Sequence, residues 1–272
     1  MNDRINISRC NFEKLGGQYK LADNVIIEKE IIENINCFWF RNKGEINTKK
    51  ILLYLHGGCF VLGSLQSHQA LVSHLSKNLM LPVLFVEYSL APEKPFPAAV
   101  IDIAKVYQYL LARYPGSDIV LMGDSAGAGL AISVLSKINE KDLHAPKYLV
   151  MLSPWIDLSC ANESLITNAA IDPILTKEQL EKFVSFYVND KTVSAANPIE
   201  TMYGPAPPTL IIVGSNEILL DDSKLICNKI AEQQTKVELN IYEGQNHVWM
   251  LEDINTEASK KALKEIQEFI AA

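Results

Sequence analysis

The chain has 272 residues, of which 48% are hydrophobic and 21% are charged, and its formal net charge is −7. This composition is typical of a folded globular protein and excludes disorder as the main state. Length alone favours about two domains, although an α/β fold of this size often forms one. The acidic balance disfavours nucleic acids and anionic membranes as partners, because both are bound mainly through basic side chains.

Signals for targeting and metal binding are weak in this sequence. The first ten residues, MNDRINISRC, contain no apolar run of signal-peptide length, so we expect a cytoplasmic protein. The apolar stretches fall far below the roughly 18 residues of a membrane helix, so no membrane association is expected. The 5 cysteines form no C-x-x-C pair, and no H-E-x-x-H occurs. We therefore expect neither a disulfide framework nor a metal site.

In chain order, the predicted strands begin with two β-prone runs, Val25–Ile32 and 36–41, which flank a break near Asn34 and predict a hairpin. The later runs are continuously apolar, which is typical of strands buried on both faces of a parallel sheet. They cover residues 51–56, 83–88, 119–122, 148–152 and 210–213, and a last β-prone run covers residues 237–242.

Helical periodicity appears between these runs. In residues 97–113 the apolar positions recur at i, i+3, i+4 and i+7, which gives one buried face, and residues 126–138, 221–234 and 256–270 are similar. The alternation predicts an α/β sheet with right-handed crossovers. Residues 160–198 break the rhythm without any apolar β run, which predicts a helical insertion that covers the sheet edge as a lid or cap.

The sharpest local pattern is Gly123-Asp124-Ser125-Ala126-Gly127, between a predicted strand and a predicted helix. A nucleophilic serine on such a turn needs small neighbours, and the helix N-terminus offers backbone amides to a developing oxyanion. The pattern alone also fits a glycine-rich turn without chemistry. Neither a complete dinucleotide fingerprint nor a Gly-Lys-Ser/Thr phosphate loop follows it.

The second pattern is His56-Gly57-Gly58-Cys59 at the end of a predicted strand. Such a glycine loop lets backbone amides turn inward, and in many esterases it supplies oxyanion donors. A simple glycine turn after a strand is the alternative.

His247 follows the last β-prone run, where a loop histidine can reach a nucleophile above the sheet. Glu217 is the carboxylate nearest the end of the preceding strand, whereas Asp221 and Asp222 fit the first turn of the next helix. The resulting chain order of serine, acid and histidine is the order of an α/β-hydrolase triad. A lone histidine is more often structural, so its assignment depends on the two glycine motifs.

Together these segments resemble the hormone-sensitive-lipase-like family of α/β-hydrolase carboxylesterases. The resemblance implies one α/β-hydrolase domain over residues 1–272, with a mostly parallel central sheet flanked by helices and a small helical cap from about residues 1–20 and 160–200. The motifs that carry it run in family order: His56-Gly57-Gly58-Cys59-Phe60, residues 88–93 (YSLAPE) with Pro95 and 97–99 (PAA), 123–127, 153–159 (SPWIDLS), 214–222 and His247.

The resemblance implies Ser125 as nucleophile, His247 as base and Glu217 as acid. It places the oxyanion hole at the backbone amides of Gly58, Cys59 and Ala126, and requires no cofactor. Aromatic residues that could line the acyl pocket are Phe60, Trp155 and Trp249, although core packing explains them equally well. We expect a serine carboxylesterase that hydrolyses small short-acyl esters through an acyl-enzyme intermediate.

Two alternatives remain open: a lactone or arylformamide hydrolase with the same machinery, or a non-catalytic small-molecule receptor of this fold. Presence of His247 favours turnover over binding alone. Many family members dimerise through the last strand, here about Val237–Tyr242, so the resemblance allows a homodimer.

Three features depart from the family pattern. Cys59 replaces a usual glycine, Ser89 stands where arginine is common, and only about 55 residues precede His56. The short N-terminal part predicts a more open pocket. The other conspicuous polar residues have structural explanations: His56 braces its own loop, Asp102, Asp157 and Asp172 act as turn or capping residues, and His68, His74 and His144 are surface or packing residues.

Overall fold

Eight strands form one sheet in the computed structural model, which describes residues 2–44, 49–188, 193–201 and 204–271. Their order across the sheet is β1-β2-β4-β3-β5-β6-β7-β8. The bounds are β1 Val25–Ile32, β2 Ile35–Asn42, β3 Lys50–Leu55, β4 Val83–Glu87, β5 Asp118–Asp124, β6 Tyr148–Leu152, β7 Thr209–Gly214 and β8 Val237–Tyr242.

The sheet is mostly parallel, as predicted. Strands β1 and β2 form an antiparallel hairpin, and β2 also pairs antiparallel with β4. The pairs from β4 and β3 through to β8 are parallel. Because β3 and β4 are exchanged relative to chain order, the crossovers diverge on either side of β3, and the loops after neighbouring strands open a crevice at the carboxyl edge.

Helices cover both faces of the sheet. The longer ones are α2 Leu65–Leu79, α3 Ala98–Arg113, α4 Ala126–Glu140, α9 Leu220–Ala231 and α10 Glu257–Ala271. Alternate residues of β3 enter two separate cores: Leu53 and Leu55 pack with residues of α3, α4 and α9, whereas Leu52 and Tyr54 pack with residues of α2 and α10. This two-sided burial explains why the strands are continuously apolar.

Helix α2 is not among the helices predicted from periodicity. Its buried face includes Ser67, His68, Ser73 and Ser76, so polar residues hide the apolar stripe that marks a buried helix. These side chains have partners: Ser73 Oγ donates to the Ala70 carbonyl, and Ser76 Oγ lies within hydrogen-bond distance of two carbonyl oxygens, 2.9 Å from Leu81 and 3.1 Å from Phe40. Buried serines with such partners cost little, which permits this sequence in a core helix.

Two segments lie over the carboxyl edge, in the regions predicted to form the cap. Near the N-terminus are helix α1 Asn2–Phe12 and a 3₁₀ turn, Glu13–Gly17. Between β6 and β7, the described residues form α5 Ser164–Thr167, α6 Lys177–Tyr187, α7 Val193–Ala196 and α8 Pro198–Thr201. Residues 1 and 189–192 of the predicted cap lie outside the described residues. Assignment of these segments as one cap on a single domain stays a prediction.

None of the helices within the described ranges combines the length and apolar character needed to cross a bilayer. Strand β8 lies at one edge of the sheet, beside β7. That position leaves the predicted dimer contact available, and the homodimer stays a prediction.

Candidate active site

Ser125 lies in a tight turn between β5 and α4, at the carboxyl edge of the sheet. Its φ of 50° and ψ of −121° cost a non-glycine residue energy, and such strain is common at functional sites. Two glycines make the turn sterically allowed. A Cβ on Gly127 would lie 2.1 Å from the Leu55 carbonyl oxygen, and one on Gly123 would lie 2.5 Å from the Gly127 carbonyl carbon. The G-x-S-x-G spacing therefore follows from backbone packing around Ser125.

Three side chains from separate loops meet at this edge. Ser125 Oγ lies 2.9 Å from His247 Nε2, and His247 Nδ1 lies 2.8 Å from Glu217 Oε2. Ser125 and His247 are 122 positions apart in the chain, so the order of the strands brings them together. In this arrangement the imidazole can accept the hydroxyl proton while the carboxylate fixes its tautomer.

The carboxyl group of Glu217 is held on both oxygens. Oε2 faces His247, while Oε1 accepts hydrogen bonds from Gly214 N at 2.6 Å and from Ser153 Oγ at 2.7 Å. The hydroxyl of Ser153 in turn accepts from Val248 N at 3.1 Å, one residue beyond the histidine. Glu217 is fully buried, so its partners replace the water that a carboxylate needs.

The other two acids of this region point elsewhere. Asp221 lies 3.0 Å from Lys224 Nζ and accepts from Ser164 N, and both Asp221 and Asp222 are in the first turn of α9. Asp222 accepts from the backbone amides of Ile156 and Asp157, each at 2.8 Å. Sequence position thus distinguishes Glu217 from Asp221 and Asp222, because the carboxylate nearest the end of β7 is the one that contacts His247.

Two opposing effects act on the pKa of His247. Burial lowers the pKa of the imidazole, but the hydrogen bond and negative charge of Glu217 outweigh it and raise the pKa above its ordinary value. Asp172 and Asp124 add to the rise through their charges. With its pKa raised, His247 is a stronger base for the proton of Ser125. The imidazole is then neutral only at correspondingly higher pH.

The loop after β3 presents backbone amides beside Ser125. Gly58 has φ +113° and Cys59 has φ +55°, so both adopt conformations that favour glycine. Among the described residues, the amides of Gly58 and Cys59 donate to no protein acceptor. Ala126 is the first residue of α4, so its amide has no partner within the helix. The three amides predicted as oxyanion donors therefore lack a protein acceptor among the described residues, and their role in an oxyanion hole stays a prediction.

A cavity of about 80 Å³ adjoins Ser125 and His247. Its wall combines Ser125, His247 and the amide loop with apolar residues from the two segments over the sheet edge: Phe12, Leu15, Ile174 and Leu175. Val248, Leu251 and Glu252 complete the side near the histidine. The four apolar residues were not assigned from the sequence, although the predicted cap regions contain all of them.

The described residues that line the cavity at Ser125 do not include Phe60, Trp155 or Trp249, and the assignment of these three residues to an acyl pocket stays a prediction. Phe60 stacks on Tyr187 with ring centroids 4.0 Å apart and also packs against Trp155, which is fully buried. Trp249 packs on Tyr242 at 4.9 Å. All three rings lie in the core, and Cys59 and Val248, adjacent in sequence to Phe60 and Trp249, form the wall instead.

The remaining histidines and aspartates separate into two groups. Asp102 accepts from Ser89 N and Ser89 Oγ, and Asp172 accepts from Ile174 N, Leu175 N and Ile218 N, as expected for capping residues. His68 is buried, with Nε2 3.4 Å from Asp124 Oδ2. The described chain contains no group of three or more His, Cys, Asp or Glu side chains that could hold a metal ion.

His56 lies beneath the amide loop, with Nδ1 2.7 Å from the Gly57 carbonyl oxygen. Burial, with the nearby His68 acting in the same direction, lowers the pKa of His56 to about 3. The ring is therefore neutral at ordinary pH and is stacked on Tyr88 at 4.2 Å. This placement agrees with a bracing role for His56.

Comparison with known proteins gives the same fold and an activity. Residues 52–251 match the family model of the alpha/beta hydrolase fold. The chain is 35% identical over 231 residues to an esterase of Acinetobacter venetianus, covering 84% of this chain and 76% of that protein. It is 37% identical over 203 residues to an acetyl-hydrolase of Streptomyces hygroscopicus, covering 74% and 68%.

The structure superposes with a TM-score of 0.93 on the crystal structure of an esterase from the bacterial hormone-sensitive lipase family. That match has 34% sequence identity and covers 98% of this chain and 90% of the other. The predicted fold, family and enzyme class are confirmed. This chain belongs to the hormone-sensitive-lipase-like carboxylesterases of the α/β-hydrolase fold.

Proposed function

We propose that this carboxylesterase hydrolyses short-acyl esters through a covalent intermediate on Ser125. The observation that carries the proposal is the continuous hydrogen-bonded chain from Ser125 Oγ through His247 to the buried carboxylate of Glu217. A serine hydroxyl is a weak nucleophile by itself, and a base within hydrogen-bond reach activates it.

In the acylation step, Ser125 Oγ forms a bond to the ester carbonyl carbon as its proton moves to His247 Nε2. The carbonyl π electrons move onto the oxygen, which becomes an oxyanion held by the amides of Gly58, Cys59 and Ala126. When the tetrahedral intermediate collapses, the bond to the alkoxy oxygen breaks. His247 then donates its proton to the leaving alcohol.

Deacylation repeats this sequence with water. His247 Nε2 takes a proton from a water molecule as its oxygen attacks the acyl carbon, and the amides again hold the oxyanion. The bond to Ser125 Oγ breaks, the serine recovers its proton from His247, and the carboxylic acid leaves. Glu217 keeps the Nδ1 proton directed towards itself throughout and stabilises the imidazolium in both halves of the reaction.

The size of the cavity supports short acyl groups. A protein cavity of about 150 Å³ holds a benzene ring of six carbons, which gives roughly 25 Å³ per carbon. On that scale, the cavity of about 80 Å³ at Ser125 holds roughly three carbons beyond the reacting centre. Activity of a relative as an acetyl-hydrolase agrees with the same size range.

The test is hydrolysis of p-nitrophenyl esters from acetate to octanoate by the wild type and by Ser125→Ala. We expect kcat/KM to be highest between acetate and butyrate and to fall for longer chains. Ser125→Ala should lower kcat by roughly 10⁴–10⁶-fold while the melting temperature stays unchanged. Rapid quenching of the wild type should reveal a mass increase equal to one acyl group on the peptide that contains Ser125.

Undiminished hydrolysis by Ser125→Ala would contradict the serine mechanism. A wild type that binds esters but releases no product would instead indicate the receptor alternative. The contact between His247 and Ser125 supports turnover, because a receptor has no need of a base aligned on a nucleophile.

A further inference from the structure

The residue immediately before the nucleophile is a buried carboxylate. Asp124 ends β5, is 1% exposed and lies against the cavity at Ser125. Its Oδ1 accepts hydrogen bonds from Gly57 N at 3.0 Å and from Tyr54 Oη at 2.7 Å, while Oδ2 lies 3.4 Å from His68 Nε2. The mechanism described above gives this group no role.

The contact with Gly57 connects two parts of the catalytic machinery. Gly57 directly precedes Gly58 and Cys59, whose amides are the proposed oxyanion donors, and Asp124 directly precedes Ser125. The approach is close, since a Cβ on Gly57 would lie 2.3 Å from Asp124 Oδ2. One carboxylate therefore fixes the distance between the amide loop and the turn that carries the nucleophile.

That amide loop needs such a restraint. Gly58 at φ +113° and Cys59 at φ +55° lie outside the favoured region for ordinary residues, and strained backbone persists only where surrounding contacts determine it. A hydrogen bond from an amide to a charged acceptor is about twice as strong as one between neutral groups. An ionised Asp124 is thus a stronger anchor for Gly57 than a neutral side chain of the same shape.

Neighbouring residues hold the carboxylate ionised and oriented. Burial raises the pKa of Asp124, but the charge and hydrogen bond of His68, with the hydrogen bond from Tyr54, outweigh it and lower the pKa below its ordinary value. His68 Nδ1 lies 2.9 Å from Ser67 Oγ, which is itself bonded to Ser64, so the imidazole is fixed at both nitrogens.

We propose that Asp124 is a positioning residue for ester hydrolysis: its carboxylate sets the oxyanion amides relative to Ser125, and Tyr54 and His68 hold that carboxylate in place. This inference rests on the proposed serine mechanism. Titratable groups around the carboxylate are Tyr54, His56, His68, Tyr88 and, across the cavity, His247.

The first test is Asp124→Asn, assayed with p-nitrophenyl acetate. An asparagine has one acceptor oxygen where the wild type has two, and it carries no charge. We expect kcat to fall about 10²-fold, as for loss of one oxyanion donor, with KM changed less than about two-fold. The acid limb of the pH profile should move to lower pH, because a negative charge that favours protonated His247 is gone.

The second measurement is inhibition by an alkyl trifluoromethyl ketone. Ser125 Oγ adds to its carbonyl carbon, the serine proton moves to His247 Nε2, and the carbonyl oxygen becomes an anion at the amide loop, so the inhibition constant reports on oxyanion binding. In Asp124→Asn this constant should rise by about the factor by which kcat/KM falls. Tyr54→Phe removes one hydrogen-bond donor to the Asp124 carboxylate. In this variant kcat/KM should fall, and the inhibition constant should rise, by about ten-fold.

Asp102→Asn is the matched control, because Asp102 also accepts from a backbone amide and a hydroxyl, and within the described residues both of these donors belong to Ser89. It should leave kcat and the inhibition constant within about two-fold of wild type.

Folded Asp124→Asn with wild-type kcat, inhibition constant and acid limb would overturn the proposal. So would a loss of kcat with unchanged inhibition. If Asp124→Asn does not fold, the same measurements on Tyr54→Phe test the proposal, and a wild-type kcat and inhibition constant in that variant would overturn it. Failure of the serine mechanism itself would appear separately, as hydrolysis retained by Ser125→Ala.

Discussion

Glu217→Gln is the sharpest test of the acid assignment, because the structure specifies how the new amide must orient. The oxygen Oε1 accepts from Gly214 N, and a backbone N–H can only donate. The glutamine oxygen therefore has to remain there, which turns the NH₂ group towards His247 Nδ1. An NH₂ group donates, so Nδ1 must become an acceptor, and the ring proton moves to Nε2.

That tautomer cannot accept the proton of Ser125, whose hydroxyl lies 2.9 Å from Nε2. The reverse amide orientation would leave a buried N–H of Gly214 facing an NH₂ group, which costs about 1–3 kcal/mol. In a known Ser-His-Asp enzyme, the wrong tautomer lowers kcat about 10⁴-fold, equivalent to about 5 kcal/mol. We expect a loss of 10³–10⁴-fold in kcat here.

The assay is kcat and kcat/KM for p-nitrophenyl acetate across pH, with melting temperature as the check on folding. Glu217 raises the pKa of His247, and the base is active only when neutral, so wild-type activity falls as pH drops through that raised pKa. Without the carboxylate, burial dominates, the histidine stays neutral to lower pH, and the acid limb of the residual activity moves down.

Asp221→Asn is the matched control. Asp221 lies in the same loop and helix start, yet it pairs with Lys224 at the surface. This variant should retain more than about half of wild-type kcat. A folded Glu217→Gln enzyme with more than a tenth of wild-type kcat, or with an unmoved acid limb, would refute the reasoning about tautomers.

Two further predictions concern the cavity. Cys59→Gly removes two heavy atoms from a residue of the cavity wall at a φ that glycine adopts freely, so the preferred acyl chain should lengthen by about one or two carbons. Cys59→Ser should keep the wild-type preference, and a profile unchanged by the glycine would count against this. Arg9→Ala removes hydrogen bonds to the Val61 and Ala91 carbonyls that fasten α1, so KM should rise about three- to ten-fold at similar kcat. An unaltered KM would show that α1 does not need this anchor.

The sheet could be predicted because its strands are buried on both faces. Strand β6, Tyr148–Leu152, is apolar at every position, and no amphipathic alternative fits so short a run. Helix α2 could not be predicted in this way. Its buried face contains Ser67 and His68, whose partners come from other parts of the chain or from the cap of the helix itself, so periodicity is lost.

The three candidate catalytic side chains could be predicted to converge because each follows the end of a strand in the parallel part of the sheet. Ser125, Glu217 and His247 come after β5, β7 and β8, whose carboxyl ends share one edge. The directions in which side chains point within a loop could not be predicted from sequence position in the same way. Phe60 points into the core and the preceding Cys59 contributes to the cavity, a difference set by packing against Tyr187 that no spacing reveals.

The segment between β6 and β7 that lies over the sheet edge is hydrogen-bonded directly to the loop that contains Glu217. Asn168 Nδ2 donates to the carbonyls of Ser215 and Glu217, and Asp172 Oδ2 accepts from Ile218 N, while Ile174, two residues further, lines the cavity. Chimeras that replace this segment with that of another esterase must therefore keep an asparagine and an aspartate at the positions of Asn168 and Asp172. A graft without these two residues would change the cavity wall and would also remove hydrogen bonds from the backbone around Glu217. Selectivity and rate could then not be engineered independently.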